Sequence, residues 1–181
     1  MTMATPFLIT RPAGKADNLL ASLDEQGIAY SYQPLITTQQ VTLKAKEVTL
    51  LEQAELLIFV SVSAVHALEQ QIKPEQLSGH LFAVGSTTAS LLQRWSGREV
   101  IVPQDQRSEG LLALPQLQQV IGKQIVVVRG NSGRELIKQQ LIARGATVKY
   151  VQSYSRLPLP LDGAQLWQLW QQQQVRCIVA T

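Results

Sequence analysis

Short apolar, β-prone runs alternate with helical patterns along nearly the whole of this 181-residue chain. Continuous apolar runs, such as residues 56–60 and 125–128, are typical of strands that are buried on both faces. Most runs are followed by a segment with apolar residues at helical spacing, and several of these segments end at a glycine that fits a helix C-cap. Strands that alternate with helices in this way predict an α/β fold, with parallel sheets flanked by helices.

The chain also contains an internal repeat. Residues 8–11 (Leu-Ile-Thr-Arg) resemble residues 126–129 (Val-Val-Val-Arg), and Gly27 corresponds to Gly145 at the same offset of 118 positions. A second match, of residues 58–61 with 178–181, has an offset of 120. Any two strand–helix–strand units share a strand, a helix and a capping glycine, so coincidence is the alternative. A true repeat predicts two similar lobes, and the second copy would then continue to about residue 240.

Composition argues against several other classes of protein. A single cysteine, Cys177, forms no disulfide within the chain, and its apolar surroundings predict that it is buried. The two histidines lie far from it in sequence, with no metal-ligand spacing. No apolar run approaches the roughly 18 residues of a membrane span, and the N-terminus lacks the pattern of a signal peptide. A net charge of +3 with 16% charged residues disfavours nucleic acid, so we expect a cytoplasmic protein with neither nucleic-acid nor membrane partners.

Three predicted strand-to-helix turns are rich in glycine and small hydroxyl residues. They are residues 61–63 (Ser-Val-Ser), 85–88 (Gly-Ser-Thr-Thr) and 130–133 (Gly-Asn-Ser-Gly). Such turns gather at the carboxyl edge of a parallel sheet, where backbone N–H groups at helix N-termini attract anions. Helix capping explains any one turn, whereas three on one edge favour a binding cleft. None has the sequence of a Walker A loop or of a dinucleotide fingerprint, which weakens a nucleotide-binding interpretation.

Two arginines and one tyrosine are further candidates. Arg11 and Arg129 occupy equivalent positions in the repeat, just after a predicted strand, where a guanidinium can pair with a carboxylate through two N–H groups. A structural salt bridge is the alternative for both. Tyr154 ends a long predicted strand that leads into a proline-containing segment. If that segment links two domains, the tyrosine hydroxyl faces a cleft; the alternative, which this pattern alone favours, is a tyrosine packed at the end of the strand. No arrangement of serine, histidine and aspartate predicts a nucleophilic triad.

Six segments, taken in order, resemble the uroporphyrinogen-III synthase family of tetrapyrrole biosynthesis. They are residues 8–12, 57–65, 83–89, 108–112, 127–135 and 151–156. The order and spacing of the segments, more than any one of them, carry the resemblance across residues 1–181. A family member would continue for about 60 more residues, so the C-terminal quarter is expected to be absent here.

This resemblance implies two α/β lobes with parallel sheets, joined by a two-stranded connector. Lobe 1 would be discontinuous and incomplete, with residues 1–34 and 157–181, and lobe 2 would take residues 35–156. The family closes the linear tetrapyrrole hydroxymethylbilane to uroporphyrinogen III in a cleft between the lobes, with inversion of ring D and loss of water. It uses no metal or organic cofactor. We expect a monomer that makes at most a transient contact with the enzyme of the preceding step.

The resemblance also assigns roles to residues. Tyr154 matches a cleft tyrosine that is the family's favoured weak acid. Backbone N–H groups and hydroxyls would bind the substrate's acetate and propionate groups, and the residues carried over are Ser61, Ser63, Ala64, Gly85, Ser86, Thr87, Thr88, Gly130 and Asn131, with Arg11 and Arg129 as further candidates. Val60 stands where the family often has threonine, so no hydroxyl contact is assigned there. The alternative is a non-catalytic α/β module that binds a carboxylate-rich or other anionic small molecule. A nucleotide-dependent Rossmann enzyme comes third.

Overall fold

The computed structural model describes residues 4–180, in which strands and helices alternate as predicted. The strands are β1 Phe7–Ile9, β2 Tyr30–Tyr32, β3 Ile36–Gln40, β4 Leu56–Phe59, β5 His80–Ala83, β6 Val100–Ile101, β7 Gln124–Gly130, β8 Thr147–Pro158 and β9 Cys177–Val179. The α-helices are α1 Asp17–Glu25, α2 Ala45–Gln53, α3 Val62–Glu69, α4 Ser86–Ser96, α5 Ser108–Ala113, α6 Leu136–Ala143 and α7 Gly163–Gln172. Within residues 4–180, no helix has both the length and the apolar character needed to cross a membrane.

The chain divides into two compact units. One comprises the chain up to Thr38 together with the chain from Arg156 onward, and the other spans Gln39–Ser155. A three-stranded sheet has the order β2-β1-β9, and a six-stranded sheet has the order β3-β8-β7-β4-β5-β6. The pairs that β1 makes with β2 and β9 are parallel, as are the pairs along β8-β7-β4-β5-β6. The predicted α/β fold with parallel sheets is therefore confirmed.

The two sheets repeat one pattern of strand pairing. Phe7 pairs with Tyr30 in one sheet, and Ile125 pairs with Val148 in the other, so the predicted offset of 118 holds on both strands. The next strand does not keep the predicted offset of 120. Leu8 pairs with Ile178 and its equivalent Val126 pairs with Leu57, which is an offset of 121. The match of Ile58 with Ile178 was therefore wrong by one residue. Short, uniformly apolar runs can be aligned equally well one residue apart, so the sequence does not reveal this error. A shift of one residue nevertheless moves a side chain to the other face of the sheet.

Alternate side chains of the central strands enter two separate cores. Leu57 and Val128 belong to the core that α2, α3 and α4 cover, whereas Ile58 and Val127 belong to the core that α5 and α6 cover. All four residues of β4 are buried, as its continuous apolar sequence predicts. Because β7, β4 and β5 are parallel neighbours, the turns that follow them lie next to one another at the carboxyl edge of the sheet.

Two local expectations were wrong. Cys177 is exposed rather than buried, because β9 lies at an edge of its sheet. The apolar and aromatic residues between positions 28 and 35 favour one continuous strand, but β2 covers only three residues and β3 begins at Ile36. Pro34 has no N–H to donate to a strand ladder, which accounts for the break. The polar composition of β3 gives no apolar alternation that would have predicted it.

Candidate functional site

A pair of hydroxyl groups lies at the carboxyl edge of the six-stranded sheet. The Oγ of Ser61 and the phenolic oxygen of Tyr154 are 3.0 Å apart, although 93 positions separate them in sequence. Ser61 is the N-cap of α3, and its Oγ accepts a hydrogen bond from the N–H of Ala64 at 3.2 Å. Tyr154 is only 4% exposed, so packing holds its ring in place. The structure thus brings together three of the predicted site residues.

An irregularity in the pairing of β7 with β8 determines where Tyr154 lies. Arg129 pairs with Gln152, but Gly130 pairs with Tyr154, so Ser153 is an extra residue on β8. Bulges of this kind redirect side chains and occur frequently beside active sites. Ser153 is fully buried, and its Oγ donates to the carbonyl of Ala64 at 3.4 Å. The bulge therefore links Tyr154 to the first turn of α3.

Gly130 makes room for the ring of Tyr154. A Cβ at this position would lie 2.6 Å from Cε2 and 2.7 Å from Cζ of the tyrosine, far closer than side chains approach one another. No other residue type lets the ring pack against the end of β7 in this position. Gly130, which was predicted as a substrate contact, therefore determines where the ring of Tyr154 can lie.

The turn between β5 and α4 presents exposed hydroxyl groups. Gly85 is the N-cap of α4 and supplies no side chain to cap it. Gln106 takes this role, because its Oε1 accepts hydrogen bonds from the N–H of Ser86 at 2.9 Å and from the Oγ of Ser86 at 3.0 Å. Ser86 and Thr87 are exposed, whereas Thr88 is 6% exposed. A ligand at this turn would therefore reach the first two side chains more readily than the third.

Arg129 lies on the other face of the sheet from Tyr154. The strand β7 extends to Gly130, so Arg129 lies within the strand and not after it. Its side chain is 9% exposed, its Nη1 donates to Oε1 of Glu135 at 2.9 Å, and its guanidinium is 4.5 Å from the centroid of the Tyr150 ring. Tyr150 in turn donates to Oε2 of Glu135 at 3.0 Å. The structural ion pair that was the alternative for Arg129 is therefore present.

The protonation of this cluster follows from its contacts. The hydrogen bond from Tyr150, followed by that from Arg129, lowers the pKa of Glu135 from its ordinary value, although partial desolvation opposes the shift. Burial, followed by the hydrogen bond to Glu135, raises the pKa of Tyr150. Near neutral pH, Glu135 is therefore a carboxylate and Tyr150 is a neutral phenol that donates its proton.

Arg11 belongs to the other compact unit. It lines a cavity of about 220 Å³ together with Gly14, Lys15 and Asp17, and its Nε is buried without a hydrogen-bond partner among the residues that the structure describes. Burial and, to a smaller extent, the charge of Arg156 lower the pKa of Lys15. The cavity thus combines two cationic side chains with the carboxylate of Asp17.

A cavity of about 990 Å³ lies at the opposite, amino edge of the six-stranded sheet. Glu55, His80, Glu99 and Lys123 supply its charged and titratable side chains, and Glu55 accepts a hydrogen bond from Lys123 Nζ at 2.6 Å. The hydrogen bond from Lys123 and that from the N–H of Gln124 lower the pKa of Glu55. No predicted site residue lines this cavity, so its size does not make it the candidate site. In the part of the chain that the structure describes, no three His, Cys, Asp or Glu side chains are grouped to hold a metal ion.

Sequence reasoning missed four residues near the carboxyl edge of the six-stranded sheet: Gln106, Glu135, Tyr150 and Ser153. The internal repeat aligns Tyr150 with Tyr32, which could have drawn attention to that position. Glu135 lies within one of the six segments that carry the family resemblance. Nothing in the local sequence distinguishes Gln106 or Ser153, because their roles depend on partners that are 20 and 89 positions away.

The fold and the carboxyl edge of the six-stranded sheet define a class of protein. It is a parallel α/β protein with a repeated unit, and the hydroxyl groups and helix N-termini at that edge suit an anionic small molecule. Residues 17–181 match the family model described as Uroporphyrinogen-III synthase HemD. The uroporphyrinogen-III synthase of Escherichia coli (strain K12) is 36% identical over 183 residues, which cover 97% of this chain and 74% of that protein. That of Proteus mirabilis is 30% identical and matches 93% and 89% of the two chains. The chain belongs to the uroporphyrinogen-III synthase HemD family.

Solved structures agree on the fold. A mutant uroporphyrinogen III synthase from the extremely thermophilic bacterium Thermus thermophilus superposes with a TM-score of 0.74 at 21% identity, over 97% of this chain and 71% of the other. The enzyme from Helicobacter pylori 26695 gives a TM-score of 0.58 at 15% identity, over 91% and 68%. At these identities the likeness shows the fold alone, and it confirms the predicted α/β class.

Proposed function

We propose that this chain closes hydroxymethylbilane to uroporphyrinogen III, with inversion of ring D and loss of water. The observation that carries the proposal is the Ser61–Tyr154 hydroxyl pair, 3.0 Å apart, at the carboxyl edge of a parallel sheet. Family membership supplies the activity, and the hydroxyl pair supplies a proton donor where α/β folds bind their ligands.

The reaction needs positioning more than strong acids or bases. When the substrate's hydroxyl accepts a proton, it leaves as water with the electrons of its C–O bond, and an azafulvene cation remains. The substituted carbon of ring D then forms a C–C bond to that cation and gives a spiro intermediate. In this intermediate the bond between ring D and the methylene bridge of ring C breaks, which restores the pyrrole of ring D and leaves an azafulvene cation on ring C. The unsubstituted carbon of ring D then forms the last C–C bond to that cation and releases its proton, which balances the one consumed. Holding the two ends of the chain together supplies most of such an acceleration.

Tyr154 is the proton donor in this proposal, and Ser61 orients it. The phenol is a weak acid, which suits a substrate that loses its hydroxyl readily. Because the Oγ of Ser61 already accepts the N–H of Ala64, the position of this oxygen is determined by the helix cap. The phenol of Tyr154 therefore contacts an oxygen that does not move freely. Burial of the tyrosine ring restricts it further.

The carboxylates of the substrate are assigned to the three turns. The N-termini of α3 and α4 carry partial positive charge, which favours anions at Ser61–Ala64 and Gly85–Thr88. Gly130 and Asn131 supply the third turn. Since Ser63 and Thr88 are buried, we assign their backbone rather than their hydroxyls. Arg11 remains a candidate for the same class of ligand.

We further propose that the protein acts as a monomer in the cytoplasm, without nucleic acid or membrane. A linear bilane also cyclises spontaneously, to the type I isomer. A transient contact with the enzyme that produces it would shorten its exposure to water. This contact would not be needed for turnover.

Separation of porphyrin isomers tests the proposed reaction. The protein is incubated with hydroxymethylbilane, the products are oxidised, and the type I and type III isomers are separated by chromatography. We expect the type III isomer to exceed the spontaneous type I product, and Tyr154→Phe to reduce this excess. A folded protein that yields only the type I isomer would refute the proposal. If that protein still bound uroporphyrin, the result would identify a non-catalytic binding module instead.

A further inference from the structure

A carboxylate is already bound where the turn after β7 ends, on the face of the sheet opposite Tyr154. The two oxygens of Glu135 accept hydrogen bonds from different residues, Oε1 from Arg129 at 2.9 Å and Oε2 from Tyr150 at 3.0 Å. Arg129 and Glu135 differ sharply in burial. The side chain of Arg129 is 9% exposed, whereas that of Glu135 is 51% exposed. The binding groups are thus part of the sheet, while the bound carboxylate comes from its surface.

The donors are held in place without help from Glu135. Arg129 and Tyr150 lie on the neighbouring strands β7 and β8, and the guanidinium stacks on the phenol ring at 4.5 Å from its centroid. Stacking uses the face of the guanidinium and leaves the N–H groups at its edge for an acid. The Nζ of Lys138 lies 4.7 Å from the centroid of the same ring and adds a second positive charge.

Glu135 is not needed to begin the helix that follows it. It occupies the N-cap position of α6, but its side chain makes no capping hydrogen bond. The turn before it closes over Arg129, because a Cβ on Gly133 would lie 2.8 Å from Nη2 of the arginine. Glu135 and this turn together therefore cover the guanidinium. The side chain of Glu135 thus contacts Arg129 and Tyr150 and does not cap α6.

We infer that Arg129 and Tyr150 form a subsite for one carboxylate of the substrate, and that Glu135 is an internal stand-in that fills this subsite in the free protein. The inference rests on the proposed function, which supplies a substrate rich in carboxylates. Exchange of one carboxylate for another gives the buried Arg129 a counter-charge both in the free and in the bound protein, whereas an unpaired buried charge would be costly. A neutral substituent of the substrate could not replace Glu135 in this way, because Arg129 would lose its counter-charge. The subsite therefore selects for pyrroles that carry carboxylates.

The stand-in weakens substrate binding by a predictable factor. The apparent dissociation constant rises in inverse proportion to the fraction of molecules whose subsite is open. If Glu135 fills the subsite in about nine molecules of ten, its removal should tighten binding about tenfold. The gain from keeping it is that Arg129 is paired in most molecules when no substrate is present.

Binding of uroporphyrin III tests this inference without requiring catalysis. This octacarboxylate is titrated against the wild-type protein and three variants, and its dissociation constant is measured by fluorescence. We expect Glu135→Gln to tighten binding about threefold to tenfold. Tyr150→Phe is made in the Glu135→Gln background, where no stand-in carboxylate competes, so that the loss of one donor should weaken binding. The matched control is Glu109→Gln, because Glu109 is 45% exposed and pairs at 2.8 Å with the exposed Arg134, so its loss changes the charge equally without uncovering Arg129.

The inference is overturned if Glu135→Gln binds no more tightly than Glu109→Gln, since any gain would then be a general effect of charge. It is also overturned if adding Tyr150→Phe to Glu135→Gln leaves the dissociation constant unchanged. If Glu135→Gln fails to fold, Glu135→Asp replaces it in the experiment. Its shorter carboxylate cannot bridge both donors, so tighter binding of uroporphyrin III is expected again. Isomer analysis of the wild type separates the two proposals. If the type III product forms but the binding differences are missing, only the proposed subsite is refuted. If the binding differences are found but no type III product forms, only the proposed reaction is refuted.

Discussion

Replacement of Gly130 by alanine should displace Tyr154 from its position beside Ser61. The added Cβ would lie 2.6 Å from Cε2, 2.7 Å from Cζ and 3.1 Å from the hydroxyl oxygen of the tyrosine. Ordinary van der Waals contact begins at about 3.4 Å, so the ring must retreat by about 0.8 Å. Because the ring is 4% exposed and packs in the core beneath α3, it cannot move outward without disturbing its neighbours.

The expected cost follows from these distances. Extra atoms in a well-packed core usually cost about 1–3 kcal/mol, so we expect Gly130→Ala to lower the free energy of unfolding by that amount. A misplacement of about 1 Å near the reacting atoms can reduce turnover by about 10²-fold. We therefore expect the rate of type III isomer formation to fall between tenfold and a hundredfold, with most of the protein still folded.

Denaturant unfolding and isomer analysis together provide the assay. Gly163→Ala is the matched control, since nothing lies within 4 Å of a Cβ there and the residue begins α7. It should leave both measurements nearly unchanged. In a Tyr154→Ala background the additional cost of Gly130→Ala should largely disappear, because the two side chains then no longer compete for space. If Gly130→Ala unfolds and turns over like the wild type, the argument that this glycine positions Tyr154 is wrong.

Three further predictions concern single side chains. Tyr154→Phe removes only the hydroxyl, so turnover should fall by about tenfold or more while the free energy of unfolding changes by at most about 1.5 kcal/mol, and an unchanged rate would remove its role as the acid. Gln106→Ala removes the cap of α4 and should cost about 0.5–2 kcal/mol in denaturant unfolding, whereas Gln104→Ala, two positions earlier and exposed, should cost little. Because the folded-state pKa of Glu135 is lowered, its contribution to stability is present above its ordinary value of 4.5 and is lost as the pH falls through the lowered value. Wild type and Glu135→Gln should therefore differ in melting temperature at pH 7 and converge as the pH falls below the lowered pKa of Glu135, and a constant difference would contradict the ion pair.

The sequence predicts the elements of this fold well where apolar pattern and capping agree. Strand β4 is buried along its whole length, and α3 starts directly after Ser61, a residue type that favours the N-cap. Where the pattern is polar, as in β3, local sequence carries no signal. The internal repeat predicts the register of β1 and β7 correctly because these strands are followed by a helix and a glycine that fix the alignment. The uniformly apolar β4 has no such reference point, and its alignment with β9 was one residue out.

The candidate site is only partly accessible to sequence reasoning. Ser61 and Tyr154 were each predicted as site residues, but their hydrogen bond depends on a bulge at Ser153 that no local pattern indicates. Arg129 was predicted with two alternatives, and its choice of Glu135 as a partner depends on the path of the turn between β7 and α6. Contacts between distant positions depend on the packing of whole elements, which a residue-by-residue pattern does not contain.

Hydrogen exchange of the backbone amides, measured with and without uroporphyrin III, tests most directly the claim that the carboxyl edge of the six-stranded sheet binds the tetrapyrrole. We predict slower exchange on binding in residues 61–64, 85–88 and 130–135, and no change in residues 116–123 near the cavity at the opposite edge. Slower exchange around that opposite cavity, with none in the three turns, would contradict the claim.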